Sequence, residues 1–343
     1  MELTLESQNL LSFFKLDPQH VLDDVDKALA QLGQSRCTGR MIALNSLENR
    51  VYLAELEDGE QIVVKFYRPG RWTRAQILEE HSFLASLAEN EIPVVAPMRW
   101  HEAGLTLFST SSNNGSIALA VFPKVRGRLT DELSFRQAEI LGRYIGRMHM
   151  IFGSRRLEHR PALGVNTFGD DALDDLERSG LICSPSGARY IQSAELVLDL
   201  IDPILALASG SQCESTQPVH GDCHVGNVLW NGESPFLLDF DDMTSCLRVQ
   251  DLWLISPGRD TGSLQTRDAF IRGYEQFSHF DDAELRCVEP LRALRMIHYT
   301  AWIAKRWADP LFPRTFPNFG SDSYWQDETV ALQEIAEMIS SIG

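Results

Sequence analysis

The hydrophobic pattern of this chain of 343 residues shifts near residue 130 from mostly strand-like to mostly helical, and that shift limits the folds open to it. Between residues 41 and 122, β-branched and aromatic residues fall in short runs separated by turn residues, as in strands. From about residue 130 onward, apolar residues recur every three or four positions, as on one face of a helix. This order predicts the α+β class: an N-terminal antiparallel sheet with one main helix, then a larger, mostly helical part.

The two parts meet in the segment 123–130, where the strand pattern has ended and the helical pattern has not begun. We therefore predict an N-terminal domain over 1–122, a linker over 123–130 and a C-terminal domain over 131–343. The N-terminal strands are predicted at 41–44, 51–56, 61–67, 105–109 and 117–122. Helices are predicted at 18–33, 73–89, 135–152, 194–208 and 283–308.

Charge and composition exclude several classes of function. The 48 Asp and Glu residues outnumber the 31 Lys and Arg residues, which gives a net charge of −17. This charge repels nucleic-acid phosphates and anionic lipid heads, so we expect neither a nucleic-acid nor a membrane partner. No apolar run is long enough to cross a bilayer, and the N-terminus lacks a basic leader. The six scattered cysteines are typical of reduced thiols. We expect a cytoplasmic monomer.

Polar side chains border two short predicted strands, 228–230 and 236–238, that flank an Asn-Gly turn. Asp222, Asn227 and Asp239 stand at the ends of these strands and the adjoining loop, where a hairpin can bring them together. Carboxylate and amide oxygens suit a hard cation such as Mg²⁺, which proteins hold through few ligands together with phosphates. A free carboxylate five residues before the asparagine can accept a proton from a hydroxyl nucleophile.

The spacing of these residues is that of a kinase catalytic loop followed by a metal-binding aspartate. His220, Asp222 and Asn227 stand in the order H-G-D-x-H-x-x-N, and Asp239-Phe240-Asp241 follows. Further matching segments lie at 45–52, 63–69, 72–81, 249–253 and 307–313. With them, the chain resembles the bacterial stress response kinases, in the aminoglycoside phosphotransferase/choline kinase branch of the kinase superfamily, over nearly its full length. The resemblance implies a bilobal protein-kinase-like fold that binds ATP and Mg²⁺ in its cleft.

The resemblance also implies roles for individual residues of the catalytic loop 220–227 and the metal-binding segment 239–242. Asp222 matches the catalytic base that orients and deprotonates the acceptor hydroxyl. Asn227 and Asp239 match the Mg²⁺ ligands that bridge the ATP phosphates, and Asp239 thereby also counts as catalytic.

Two N-terminal residues match the family's nucleotide-binding positions, and a third lies where the sequence departs from the family pattern. Lys65 corresponds to the lysine that holds the α- and β-phosphates, and Glu80 to its helix partner, with Glu79 as the alternative. A glycine-rich loop is absent, so we expect Ser46 to offer a hydroxyl or a backbone N–H to the phosphates.

The segment after Asp239 departs from the protein kinase pattern, because Asp251 follows only twelve positions later. We therefore expect no activation loop that phosphorylation would gate. Asp251 is expected to brace the catalytic loop. Asp241 and Asp242 either hold a second metal or accept backbone N–H groups, and the role of His224 is open.

These observations favour an ATP- and Mg²⁺-dependent kinase that phosphorylates Ser or Thr of proteins, with autophosphorylation and a role in stress response. One alternative is a small-molecule hydroxyl kinase of the choline, homoserine or aminoglycoside kind. Another is an ATP-binding regulator without turnover, which the retention of Asp222, Asn227, Asp239 and Lys65 opposes. A zinc site or a two-metal phosphoesterase would need more clustered ligands than the chain supplies.

Overall fold

The computed structural model describes two compact units. Its described residues are 9–10, 13–14, 16, 18–100, 104–110, 116–153, 155–209 and 216–342. The first unit consists of Met1–Thr130 with Gly226–Asp241, and the second of Asp131–Val225 with Asp242–Gly343. Within these described ranges, no helix is both long enough and apolar enough to cross a membrane.

The helices and strands alternate along the chain much as their patterns predict. In chain order they are α1 Pro18–Leu32, β1 Cys37–Ala43, β2 Arg50–Leu56, β3 Gln61–Phe66, α2 Arg74–Glu89, β4 Phe108–Ser109, β5 Ala118–Pro123, α3 Phe135–Phe152, α4 Asp171–Arg178, α5 Pro185–Ser209, β6 Thr216–Val219, β7 Val228–Asn231, β8 Ser234–Leu237, β9 Thr244–Leu247, α6 Val249–Trp253, α7 Thr261–Tyr274, α8 Val288–Lys305, α9 Leu311–Thr315 and α10 Asp322–Ile342. The chain also has a π-helix, Val165–Asp170, and short 3-10 helices at Val225–Asn227, Phe240–Asp242 and Asp282–Cys287.

The first unit is built on an antiparallel sheet with the strand order β1-β2-β3-β5-β4. Gly59 lies in the turn between β2 and β3 with a φ of 87°, a conformation that glycine adopts without steric cost. The predicted strand 105–109 is reduced to Phe108–Ser109, because only these two residues pair with β5. Residues 111–115, whose serine, asparagine and glycine content predicts a turn between these strands, lie outside the described residues.

The side chains of strand β3 alternate between the two faces of this sheet, because successive strand residues point to opposite sides. Val64 and Phe66 belong to the core that packs against α1. On the other face, Ala120 and Tyr67 pack with Ile77 of α2. The sheet therefore lies between two helices. The capping box at the start of α2 is present, with the Thr73 hydroxyl accepting from the Gln76 amide and the Gln76 side chain bonding back.

The hairpin of β7 and β8 belongs to the first unit, which corrects the predicted C-terminal domain over 131–343. The backbones of Arg128 and Trp230 exchange two hydrogen bonds of 2.8 Å, and the Leu237 amide donates to the Pro93 carbonyl at 2.8 Å. Backbone pairing of this kind cannot be recognised from hydrophobic periodicity. The segments Gly226–Asn227 and Asp239–Asp241 accordingly fall in the first unit, and Asp222 in the second.

In the second unit, β6 and β9 form a short antiparallel pair, and helix α3 packs closely against α7. Glycines permit this approach. A Cβ added to Gly142 would lie 2.0 Å from the Phe270 carbonyl oxygen, and one on Gly273 would lie 1.9 Å from the Glu139 carbonyl oxygen. The two backbones are therefore too close for a side chain at either position.

Two predicted helices have different bounds in the structure. Helix α5 begins at Pro185, well before the predicted start, because proline fits the first turn of a helix. The predicted helix 283–308 is divided, and its main part α8 begins at Val288 so that Pro290 falls in the first turn, where its missing N–H costs nothing.

Candidate functional site

A lysine between two carboxylates forms the centre of the candidate site in the first unit. Lys65 lies on β3, on the sheet face opposite to Val64 and Phe66. Its Nζ is 3.2 Å from Oδ1 of Asp239 and 3.0 Å from Oδ1 of Asp241. Only 8% of the residue is exposed to solvent. The positive charge is therefore held at a defined point beside the predicted metal ligand.

The protonated form of Lys65 is favoured by its surroundings. Burial lowers the pKa of this amine, but the nearby carboxylates of Asp241, Asp239 and Glu80 raise it by more. The pKa consequently lies well above its usual range, so the side chain is positively charged at any physiological pH. A permanent cation at this place suits the binding of phosphate oxygens.

Asp241 connects the lysine to the loop between β1 and β2. Besides Lys65, its carboxylate contacts Nη1 of Arg71 at 2.7 Å and accepts a hydrogen bond from Nδ2 of Asn49 at 3.1 Å. Its side chain is only 3% exposed. The Asp241 carboxylate is therefore held by two side-chain cations and a side-chain amide.

The β1–β2 loop has its own anchors where a glycine-rich loop is absent. Arg68 donates to the carbonyl of Glu48 at 2.9 Å and to that of Leu47 at 3.1 Å. The Ser46 hydroxyl accepts a hydrogen bond from the backbone N–H of Asn49 at 3.3 Å. The loop is thus held by an arginine from beyond β3 and by its own serine. Ser46 takes part in the turn of this loop.

Asn227 and Asp239 lie at the open end of the β7–β8 hairpin. Val228 pairs with Leu237, and beyond this pair the Asn227 carbonyl accepts from the Leu238 amide at 2.9 Å. Asp239 follows with a φ of 54°, a left-handed conformation that costs energy for a residue with a Cβ. Its side chain is 57% exposed. The hairpin therefore places the two predicted metal ligands at the same end of its strands.

Whether these residues fit a divalent cation follows from their chemistry. In the part of the chain that the structure describes, no three His, Cys, Asp or Glu side chains group closely enough to hold a metal by themselves. Mg²⁺ needs no such group, since it keeps water and phosphate ligands alongside one or two carboxylates. The accessible carboxylate of Asp239 and the amide of Asn227 fit that requirement.

Helix α2 supplies the acidic group predicted to support the lysine. Glu80 is buried, whereas its neighbour Glu79 is only partly so. The charge of Glu80 is among those that raise the pKa of Lys65. These observations favour Glu80 over Glu79 as the helix partner.

The predicted base, Asp222, lies in the second unit. Its Oδ1 is 2.8 Å from Nη1 of Arg295 on α8, and its Oδ2 is 3.4 Å from Nε2 of His224. Burial raises the pKa of this carboxyl, but the hydrogen bond from His224 and the charges of Arg295, His224 and His220 lower it to about 2. The side chain is therefore a carboxylate at neutral pH.

The loop that carries Asp222 is held by a buried carboxylate. Asp251 accepts hydrogen bonds from the backbone amides of His220 at 2.8 Å and Gly221 at 2.9 Å. Its Oδ2 also lies 3.0 Å from Nε2 of His149, whose Nδ1 lies 2.9 Å from the hydroxyl of Tyr274. The expectation that Asp251 braces the catalytic loop is confirmed.

The predicted residues thus fall into two groups. In the first unit, Lys65 contacts Asp239 and is affected by the charge of Glu80, and the Asn227 backbone bonds to Leu238, the residue before Asp239. Asp222 lies in the second unit. The structure adds residues that sequence reasoning missed: Asn49, Arg71 and Arg295. Asn49 lies in a segment that resembles the family, which could have indicated it. Arg295 lies in an ordinary amphipathic helix, and no signal in the sequence points to it.

Comparison with known proteins gives one family match. The profile of the phosphotransferase enzyme family matches residues 41–291. Stress response kinase A of Escherichia coli strain K12 is 37% identical to this chain over 335 residues, which cover 97% of the chain and 96% of that protein. The serine/threonine protein kinase RdoA of Salmonella typhimurium strain LT2 is 35% identical over 337 residues, with the same coverage.

Solved structures show the same fold at low sequence identity. Amicoumacin kinase hAmiN, solved with AMP-PNP, Ca²⁺ and Ami, is 20% identical with a TM-score of 0.71, covering 95% of this chain and 94% of that one. A microcompartment-associated aminopropanol kinase is 17% identical with a TM-score of 0.65, covering 90% of this chain and 100% of that one.

Proposed function

The chain belongs to the phosphotransferase enzyme family, and we propose that it transfers the γ-phosphoryl group of ATP to serine or threonine hydroxyls of proteins. The observation that carries the proposal is the placement of Lys65 beside Asp239, at 3.2 Å from Nζ to Oδ1. A phosphate-binding cation next to a metal-binding carboxylate is the arrangement that phosphoryl transfer from a nucleotide requires.

Each residue of the first unit has a task in this proposal. Lys65 binds the α- and β-phosphates, and Glu80 stabilises the charge of that lysine. Asn227 and Asp239 hold Mg²⁺. When bound, Mg²⁺ neutralises the charge that develops on the phosphate oxygens. Ser46 keeps the β1–β2 loop in its turn, so that the backbone of the loop can approach the phosphates.

Asp222 receives the acceptor. Because it is ionised, it can accept a hydrogen bond from the acceptor hydroxyl and hold the oxygen in line with the γ-phosphorus. A strong base is not required, since the hydroxyl proton leaves late in a loose transition state. Asp222 stands only five positions before Asn227 in the chain, the separation found in kinases.

The relatives support the proposal that the acceptor is a protein. The two most informative ones carry the names stress response kinase A and serine/threonine protein kinase, and both align over almost the whole chain. These names support a protein kinase that acts in stress response. We expect that it also phosphorylates itself. A reaction that consumes ATP also supports a cytoplasmic enzyme, which we expect to act as a monomer.

The test is an incubation of the purified protein with Mg²⁺ and γ-labelled ATP, alone and with a generic protein acceptor. The Asp222→Ala protein runs beside it, and ATP binding to both is measured by calorimetry. We expect label on serine or threonine in the wild type, with transfer at least about 100-fold slower in Asp222→Ala. The ATP affinity of the two proteins should agree within about twofold, because Asp222 acts on the acceptor.

Other results would replace the proposal. Steady ATP consumption without labelled protein would indicate a small-molecule acceptor, and a screen of hydroxyl-bearing metabolites would follow. Bound ATP with neither label nor consumption would indicate a regulator without turnover. Equal transfer by Asp222→Ala and the wild type would remove Asp222 from the site.

A further inference from the structure

Arg295 is a cation that the family resemblance does not predict and that contacts the residue on which transfer depends. It projects from α8, and its Nη1 lies 2.8 Å from Oδ1 of Asp222. Among the described residues, this is the one ion pair of Arg295 that the structure records. The other carboxylate oxygen of Asp222 faces His224 at the longer distance of 3.4 Å.

We propose that Arg295 is a positioning residue of the transfer reaction: it holds the Asp222 carboxylate ionised and turned toward the acceptor hydroxyl. This inference rests on the proposed function, because it gives Arg295 no contact with substrate of its own. Arg295 acts through Asp222 alone.

The physical need for such a cation follows from burial. The Asp222 side chain is only 21% exposed, and burial by itself disfavours the carboxylate. The groups that face Asp222 include Arg295 from α8 and, from its own loop, His220, His224 and the thiol of Cys223. Of these, Arg295 is the group that is charged at every physiological pH.

The geometry also explains why an arginine suits this place. Its side chain is 42% exposed, so part of the guanidinium remains solvated and the ion pair avoids the full cost of burial. Two close partners on different elements, α8 and the catalytic loop, restrict the rotation of the carboxylate. A carboxylate fixed in this way can orient a hydroxyl without first losing side-chain freedom.

The experiment compares Arg295→Ala and Arg295→Lys with the wild type in the Mg²⁺-dependent transfer reaction. Lys305→Ala is the matched control. Lys305 lies on the same helix and forms a pair of 2.7 Å with Asp175, so it tests the loss of one α8 cation away from Asp222. We expect kcat to fall at least about 10-fold in Arg295→Ala, with the KM for ATP within twofold of the wild type. The kcat of Arg295→Lys should lie between those of Arg295→Ala and the wild type. The kcat of Lys305→Ala should equal that of the wild type.

The pH profile separates positioning from a merely structural role. Removing Arg295 raises the pKa of Asp222, so the variant should lose activity at a higher pH than the wild type as the solution is acidified. A variant that is only less stable would keep the wild-type pH profile at temperatures where it is folded. Circular dichroism verifies that the variant is folded during the assay.

A double-mutant cycle with Asp222→Asn completes the test. If Arg295 acts through Asp222, adding Arg295→Ala to Asp222→Asn should change the residual rate by less than about twofold. Wild-type kcat and an unshifted profile in Arg295→Ala would overturn this inference and leave the proposed function intact. No transfer by the wild type to any acceptor would overturn both.

Discussion

At the scale of the residue, buried charges are organised in pairs and small networks. Asp241 is the clearest case, because one carboxylate contacts Lys65, Arg71 and Asn49 from three different places in the chain. Burying an ion costs free energy unless the attraction of its partners offsets the loss of hydration. Here two cations and an amide do so. The same carboxylate also ties the β1–β2 loop to the strand that carries the lysine.

We predict that Asp241→Asn lowers the free energy of unfolding by about 3 kcal/mol, because Lys65 and Arg71 would remain buried with less opposing charge. Asparagine keeps the shape of the side chain, so lost packing contributes little. Urea unfolding followed by circular dichroism measures the change.

The control for this prediction is Glu55→Gln, which breaks a surface pair with Arg40 at 3.5 Å. Exposed pairs contribute little, so its effect should stay below about 1 kcal/mol. Equal losses in the two variants would show that the Asp241 network is no stronger than a surface ion pair.

At the scale of the element, close packing of two helices positions the residues that contact Asp251 and the loop it holds. Helices α3 and α7 approach through glycines, and this approach brings His149 of α3 to the hydroxyl of Tyr274 on α7. His149 in turn contacts Asp251, which holds the loop amides. The segment between Asp239 and Asp251 is short and regular. It contains β9, paired with β6.

We predict that Gly142→Ala destabilises the protein by about 1–3 kcal/mol, because the added methyl group would overlap the Phe270 carbonyl and push α3 and α7 apart. Thermal unfolding reports the loss. Gly164→Ala is the control, since a Cβ at Gly164 has no atom within 4 Å. A Gly142→Ala protein as stable as the control would mean that the two helices separate at no cost.

At the scale of the whole molecule, the charge of −17 opposes an anionic ligand, so the proposed nucleotide binding requires local cations and metal. Lys65 is one such cation, and Asn227 and Asp239 are the proposed metal ligands. ATP and Mg²⁺ should therefore bind together, and their binding should stabilise the folded protein.

We predict that saturating ATP with Mg²⁺ raises the thermal unfolding midpoint, and that EDTA removes most of this shift. At a ligand concentration 100 times Kd, the stabilisation is about 2.7 kcal/mol. Asp239→Ala should lose the Mg²⁺-dependent part, whereas Glu60→Ala, an exposed hairpin residue, should retain it. The same shift in both variants, with and without EDTA, would contradict the metal assignment.

The local elements of this protein follow from its sequence because their causes are local. The period of the apolar residues predicts α1, α3 and the strands of the sheet, and the capping residues and turn glycines determine where several elements begin and end. The spacing of Asp222, Asn227 and Asp239 likewise points to phosphoryl transfer before any contact is known.

The tertiary structure alone determined which distant residues surround these groups. That β7 and β8 join the first unit depends on backbone bonds to Pro93 and Arg128. Every residue has a backbone carbonyl, and all but proline have an N–H, so the residue types do not show which backbones pair. Arg71 reaches Asp241, and Arg295 reaches Asp222, across separations along the chain that no pattern encodes. Charged side chains look alike in a sequence, and only packing shows which of them share a buried environment.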